Sequence, residues 1–177
     1  TADTSAAVER IRQSEERFQL AAQGSRDALW EWNLLTDELY LSPRWKEMRG
    51  YAETEVPNTR EVWTNHIHPD DKDRIVERTA AYLAQQIPTF CEEYRSRGKD
   101  GSYRWVLDRG QAIWDKQGHP VRMAGSETDI TAQKEAESAR RGEESLKESI
   151  AAVQSAMLAG HQTAEVFGHL LDEILRL

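Results

Sequence analysis

Residues 99–131 read KDGSYRWVLDRGQAIWDKQGHPVRMAGSETDIT, and this stretch decides the fold class. Asp100-Gly101 is a tight hairpin signal, because Asp and Gly tolerate the left-handed turn whose twist suits two antiparallel strands. From Tyr103 to Trp114 the chain reads as one long strand, with Tyr103, Trp105 and Leu107 sharing a face at a period of two. Asp115–His119 turns again around Gly118, and Pro120–Ile130 forms a further strand. Just upstream, Thr89–Arg97 sets Phe90, Glu92 and Tyr94 against Cys91, Glu93 and Arg95. Three consecutive strands joined by short turns are antiparallel neighbours, which excludes a βαβ series.

The preceding segment completes the sheet and adds short helices. Ala28, Trp30, Trp32 and Leu34 share one face of a strand, Thr36-Asp37-Glu38 turns, and Leu39-Tyr40-Leu41 returns. Ser42-Pro43 starts a helix carrying Trp45 and Met48, with Ser as N-cap, Pro at the first position and Gly50 at the end. A second helix carries Val62, Trp63 and Ile67. His68-Pro69-Asp70-Asp71 breaks it, and Asp70 or Asp71 is expected to cap a third helix running to Gln86. The class is α+β.

Both ends read as helical. Val8, Ile11, Phe18 and Ala22 lie on one face of residues 4–24. Beyond Thr131 a heptad runs through Leu146, Val153, Gly160, Phe167 and Ile174, with Ile150, Met157, Ala164 and Leu171 as the second row. That is the pattern of a coiled-coil dimer seam, with a break expected near Gly160 because an interior glycine weakens a helix by about 1 kcal/mol. The expected division is a flanking helix over 1–25, a central domain over 26–131 and a signalling helix over 132–177.

Among the 177 residues, 31 acidic against 23 basic side chains leave a net charge of -8, a balance that repels phosphate backbones and argues against nucleic acid. No apolar run approaches the roughly twenty residues of a membrane span. The lone Cys91 cannot form an internal disulfide, which fits a cytoplasmic protein. Without an initiating Met or a signal segment, the chain reads as a piece excised from a longer one.

Three groups of residues invite a chemical reading. His66, His68, Asp70 and Asp71 have metal-ligand and acid/base character, so a metal-dependent hydrolase is the rival function; the bland reading is a helix break and cap, with no metal. Trp30, Trp32, Trp45, Trp63, Tyr82, Tyr94 and Trp105 are candidates to line a pocket for a small planar ligand, against the alternative of plain core. Asp129, Ile130 and Thr131 join the last strand to the long helix, where a side-chain oxygen of Asp129 or Thr131 can cap the helix and fix its direction.

The order of elements resembles a PAS domain of the large subgroup found in bacterial sensor proteins. The resemblance covers about Ser14 to Ala136. It rests on Trp30-Glu31-Trp32-Asn33, Ser42-Pro43-Arg44-Trp45, Gly50-Tyr51, Trp63 and Ile67-His68-Pro69-Asp70-Asp71. Further blocks are Glu93-Tyr94-Arg95-Ser96-Arg97, Asp100-Gly101-Ser102-Tyr103-Arg104-Trp105, Arg109-Gly110, Gly125 and Asp129-Ile130-Thr131. It implies a five-stranded antiparallel sheet with helices over one face, a small cavity between them, and a role in sensing or relaying a signal. Flavin photochemistry of the cysteinyl type is disfavoured, because Cys91 is in a strand and outside the Asn-Cys-Arg setting such members use. Haem is disfavoured because the long helix of the domain carries no His. The run His169–Leu177 is similar to the opening helix of a GAF domain.

The expected function is therefore a non-catalytic sensory module that dimerises through its flanking helices. It would pass ligand or partner binding from the sheet to the C-terminal helix. A histidine kinase, ahead of a diguanylate cyclase, is the expected output domain beyond Leu177. A ligand-free dimerising spacer is the alternative on the same fold.

Overall fold

In the computed structural model, the described residues are Gly24 and 27–174, with side chains placed through 158 and at 160. The expected helix over 4–24 and the side chains of Phe167, Leu171 and Ile174 lie outside them, as does the His169–Leu177 run apart from its helical backbone to Ile174.

The elements in order are β1 (Ala28–Asn33), β2 (Glu38–Leu41), α1 (Pro43–Met48), α2 (Arg60–His66), α3 (Pro69–Leu83), β3 (Phe90–Arg97), β4 (Tyr103–Trp114), β5 (Pro120–Asp129) and α4 (Thr131–Ile174). The five strands make one antiparallel sheet in the order β2-β1-β5-β4-β3. The strands of β3, β4 and β5 pair as consecutive neighbours, and β1 closes on β5 with Trp30 opposite Gly125. Gly101 takes φ +83 in the β3–β4 turn, the left-handed geometry that the Asp-Gly pair signalled.

Each short helix begins on a local signal. The Ser42 side chain accepts from Trp45 N ahead of Pro43, and Thr59 accepts from Val62 N. The cap of α3 differs from expectation: the imidazole Nδ1 of His68 accepts from Asp70 N at 3.2 Å. Asp71 is not the cap because Arg95 of β3 takes it, with Nε 2.9 Å from Oδ2 and Nη2 3.0 Å from Oδ1. Ile67 leaves α2 in an extended conformation and bridges to Ser96, so the helix stops one residue early. Likewise α3 ends at Leu83 rather than Gln86, because Gln85 turns left-handed (φ +57) and Gln86 N donates to Ala81 O, closing the last turn.

The core lies between the sheet and α1–α3. One cluster is built on Ala28, Leu41, Trp45, Ile75, Tyr94 and Val106; a second joins Tyr82, Phe90, Ala112 and Met123. Salt bridges from Arg74 and Arg78 to Glu92 pin α3 against β3.

The chain divides after Thr131 into two units. The second is the helix α4, which runs unbroken through Gly142 and Gly160 to Ile174, so the break expected near Gly160 does not occur. The glycine penalty is local, and the surrounding Ala, Leu, Glu and Lys are good helix formers. Ion pairs Arg141–Glu137, Arg140–Glu144 and Lys147–Glu143 sit at four-residue spacing along it. Leu146, Ile150, Val153 and Met157 are exposed, at 48–63%. Among the described residues no helix is long and apolar enough to cross a membrane.

Candidate functional site: a tryptophan-lined cavity and the helix junction

A cavity opens between the sheet and α2–α3, and every strand contributes to its wall. Trp30 and Trp32 come from β1, Leu39 and Leu41 from β2, Phe90 from β3, Asp108 from β4 and Met123 from β5; Arg60 and Trp63 of α2 and Thr79 of α3 complete it. Its volume is about 20 Å³, room for about one water molecule.

Two glycines explain how Trp30 comes to lie across the sheet. Gly125 and Gly110 are partners on β5 and β4, in line with Trp30 on β1. A Cβ on Gly110 would come within 2.8 Å of the Trp30 ring, and one on Gly125 within 2.6 Å of that ring and 2.1 Å of Arg109 O. The indole therefore rests directly on backbone, and its Nε1 donates to Asp108 Oδ1 at 2.8 Å.

Beneath the cavity runs a fully buried polar chain. The Tyr94 hydroxyl accepts from Trp63 Nε1 at 3.0 Å and lies 3.0 Å from Glu127 Oε1 and 3.2 Å from Asp108 Oδ2. Glu127 Oε1 also accepts from Trp45 Nε1, and Oε2 pairs with Arg49 Nη2 at 2.5 Å. Arg49 is itself buried, donates to Ser96 Oγ and stacks 3.6 Å from the Trp45 ring centroid.

One hydroxyl proton cannot serve two carboxylates. With Glu127 Oε2 paired to Arg49, the chain closes when Tyr94 donates to Glu127 and Asp108 keeps its own proton and donates it to Tyr94. Burial, and then the nearby charge of Glu127, push the Asp108 carboxyl well above the ordinary carboxylate range. Burial likewise pushes the Tyr94 hydroxyl up, so it stays neutral.

The aromatic candidates take different places. Trp30, Trp32 and Trp63 line the cavity. Tyr94 stands behind Asp108, and Trp45 is buried against Glu127 and Arg49. Tyr82 packs on Phe90 and Trp114, and its hydroxyl accepts from Ala112 N of β4 at 3.2 Å. Trp105 is not in the wall: the core parity of β4 is Val106, Asp108, Gly110 and Ala112, so Tyr103, Trp105 and Leu107 face the other side of the sheet. Aromatic alternation along β4 marked the outer face, because its inner face carries small residues and an acid.

His66, His68, Asp70 and Asp71 are each committed to a structural partner. His66 is buried against Trp45 and Tyr51, its Nδ1–H donates to Val62 O at 2.6 Å, and burial holds its pKa below the usual value. His68 caps α3 and stacks on Tyr103 at 4.4 Å between ring centroids. Asp70 and Asp71 both pair with Arg95. Among the described residues no group of three or more His, Cys, Asp or Glu is set to hold a metal.

The junction residues form a compact joint. Asp129 Oδ1 accepts from both Thr131 N (2.9 Å) and Thr131 Oγ1 (2.6 Å). Thr131 Oγ1 in turn accepts from Trp105 N of β4 at 3.0 Å, and Ile130 N donates to Trp105 O at 2.9 Å. Burial alone would raise the Asp129 carboxyl; the bonds from Thr131 and Arg104 outweigh it and hold the pKa down. Ile130 is buried, so the last residue of the sheet side is anchored on both flanks.

With this geometry in hand, comparison with known proteins places the chain. The PAS fold family matches residues 38–126, and the chain belongs to it. A sensory box histidine kinase/response regulator from Burkholderia thailandensis is 41% identical, with a TM-score of 0.65 over 75% of this chain and 98% of that one. The N-terminal domain of a diguanylate cyclase with PAS/PAC sensor from Marinobacter aquaeolei shares the fold at 22% identity, with a TM-score of 0.55 over 61% of this chain and 98% of that one. A methyl sulfide methyltransferase-associated sensor of Methanosarcina acetivorans is 33% identical over 50% of this chain and 9% of its own length. The chain spans half or less of the length of the curated relatives it matches. It is thus a PAS sensor domain homologous to those of histidine kinases.

Proposed function

We propose that this PAS domain is the cytoplasmic sensory module of a larger sensor histidine kinase. It would dimerise through its flanking helices and relay occupancy of the Trp30–Trp63 cavity to α4. The observation that carries the reading is the Asp129–Thr131 joint. A single threonine hydroxyl accepts from β4 at Trp105 and donates to the aspartate that caps α4, so a shift of β4 is felt at the first residue of the helix. Loss of such a cap costs about 1 kcal/mol, comparable to the gap between two helix arrangements that a ligand must bias. The exposed row Leu146, Ile150, Val153 and Met157 supports a dimer seam, since water-facing apolar residues at heptad spacing gain by pairing.

Native mass spectrometry of the purified chain, compared with the same sample denatured, tests this. A dimer carrying mass that leaves on denaturation supports a ligand-bound sensor. A strict monomer at micromolar concentration overturns the seam. A clean dimer favours a ligand-free spacer, the second reading, which the small cavity volume of about 20 Å³ supports.

A further inference from the structure

Three carboxyl side chains stand in line across the core face of the sheet. Glu92 on β3, Asp108 on β4 and Glu127 on β5 are successive cross-strand partners, and all are buried. The outer two have their cations: Arg74 and Arg78 of α3 reach Glu92 at 3.1 and 2.7 Å, and Arg49 of α1 pairs with Glu127. Among the described residues no cation pairs with Asp108, whose bonds run to Trp30 Nε1 and the Tyr94 hydroxyl. Arg60 of α2 shares the cavity wall with it but lies against Trp32.

The proton that Asp108 keeps is structural. Through it Asp108 donates to a Tyr94 oxygen that also accepts from Trp63 of α2, while Tyr94 donates to Glu127. Without it, one phenolic proton faces two carboxylates at 3.0 and 3.2 Å. Whichever carboxylate it serves, the other is left against the Tyr94 oxygen, acceptor to acceptor, at a fully buried place. That contact has to open, and the Tyr94 hydroxyl carries the bond to Trp63 with it. We infer that Asp108 is a proton-release switch: once ionised it parts from Tyr94, and α2 comes away from β3 at Trp63. The proton leaves to hydroxide, giving water and the carboxylate. The signal is alkalinity itself, so the inference goes beyond ligand occupancy and holds with or without a dimer. His66 of α2, whose proton uptake lies on the acid side, stays neutral as pH is raised.

Infrared spectra and indole N–H NMR of the full chain, taken as pH is raised from 7, read the carboxyl and the helix separately. The expected result is a protonated-carboxyl carbonyl band at pH 7 that Asp108→Asn removes. Raising the pH should abolish the band and shift the Trp63 indole N–H over the same range. In Asp108→Asn, whose amide keeps the bonds to Trp30 and Tyr94, the Trp63 signal should hold still. No such band at pH 7, or one that the variant retains, overturns the inference, as does an equal Trp63 shift in the variant. A band that disappears only as every indole signal vanishes together reports global unfolding, and overturns it too. If Asp108→Asn does not fold, Tyr94→Phe takes its place: with the hydroxyl gone, loss of the band should leave Trp63 unmoved, and a shift that still follows the band sinks the relay.

Discussion

Asp108 and Glu127 are direct cross-strand partners on β4 and β5, their carboxyl groups on the core face and joined through the one hydroxyl of Tyr94. Two ionised carboxylates facing each other there would repel at low dielectric. The arrangement persists because Arg49 neutralises one and the other keeps its proton. The network therefore holds an acid form and a base form of the same group side by side.

Asp108→Asn should preserve this network, since the amide accepts from Trp30 and donates to Tyr94. A carboxyl whose folded pKa is raised above its ordinary value of 3.8 contributes stability that is fully present below that value and lost as pH rises toward the folded pKa. The asparagine has no such loss. Its advantage over the wild type should grow by about 1.4 kcal/mol per pH unit across that window. Urea unfolding at pH 5 and pH 8 checks this; parallel curves for the two proteins would contradict it.

Glu127→Gln has the opposite sign. It leaves the Arg49 guanidinium buried without a counter-charge, a change that costs about 3–5 kcal/mol. Thermal unfolding should show a large drop in Tm at every pH.

Gly125→Ala should be more damaging than Gly110→Ala. At Gly125 the new methyl meets the Arg109 carbonyl at 2.1 Å, and backbone cannot yield, whereas at Gly110 it meets the flexible end of Met123 and the edge of Trp30 at 2.8 Å. Overpacking of this kind costs about 1–3 kcal/mol, with Gly125→Ala expected at or above the upper end. Denaturant midpoints of the two variants give the ranking.

The buried His66 predicts a loss of stability in mild acid. Desolvation, its largest influence, lowers its folded pKa below 6.5, so the unfolded chain takes up a proton that the folded one refuses. Stability is then lost as pH falls below about 6.5. Imidazole NMR should show His66 still neutral just below pH 6.5, where the unfolded imidazole takes up its proton. A His66 titration at or above pH 6.5 would be the contrary result.

Thr131→Val should lower stability by about 1 kcal/mol by removing both the acceptor for Trp105 N and the donor to Asp129. In amide NMR the perturbation should centre on Trp105, Asp129 and the first turn of α4.

Much of the fold was legible because its signals are local. Alternation over 103–114, the Asp-Gly turn, the Ser42-Pro43 start and the Pro69 break each act within a few residues, and the structure places strands and helices where those cues put them. Capping of α3 was the exception. Asp71 has the right chemistry and position, yet Arg95, 24 residues away, competes for it and leaves the cap to His68.

The candidate site was legible only in part. Trp30, Trp32 and Trp63 could be singled out as aromatic, but period-two alternation does not say which face of β4 is inside. Trp105 was the conspicuous residue, and the inner parity went to Asp108 instead. The weak cue was available: Val106, Asp108, Gly110 and Ala112 form a row in which a lone acid sits among small residues, beside glycines with no turn to serve.

By itself, then, the sequence determined the α+β class, the strands and helices, the turn chemistry, the heptad and the three-residue junction, since each depends on near neighbours along the chain. Tertiary structure alone decided that Asp108 and Glu127 meet, that the Tyr94 hydroxyl bridges them, that Trp30 lies on two glycines and that Arg60 stands at the cavity wall. Those relations join residues 14 to 95 positions apart. They arise when strand pairing and burial bring distant polar groups into a space without water, where each must find its partner in the protein.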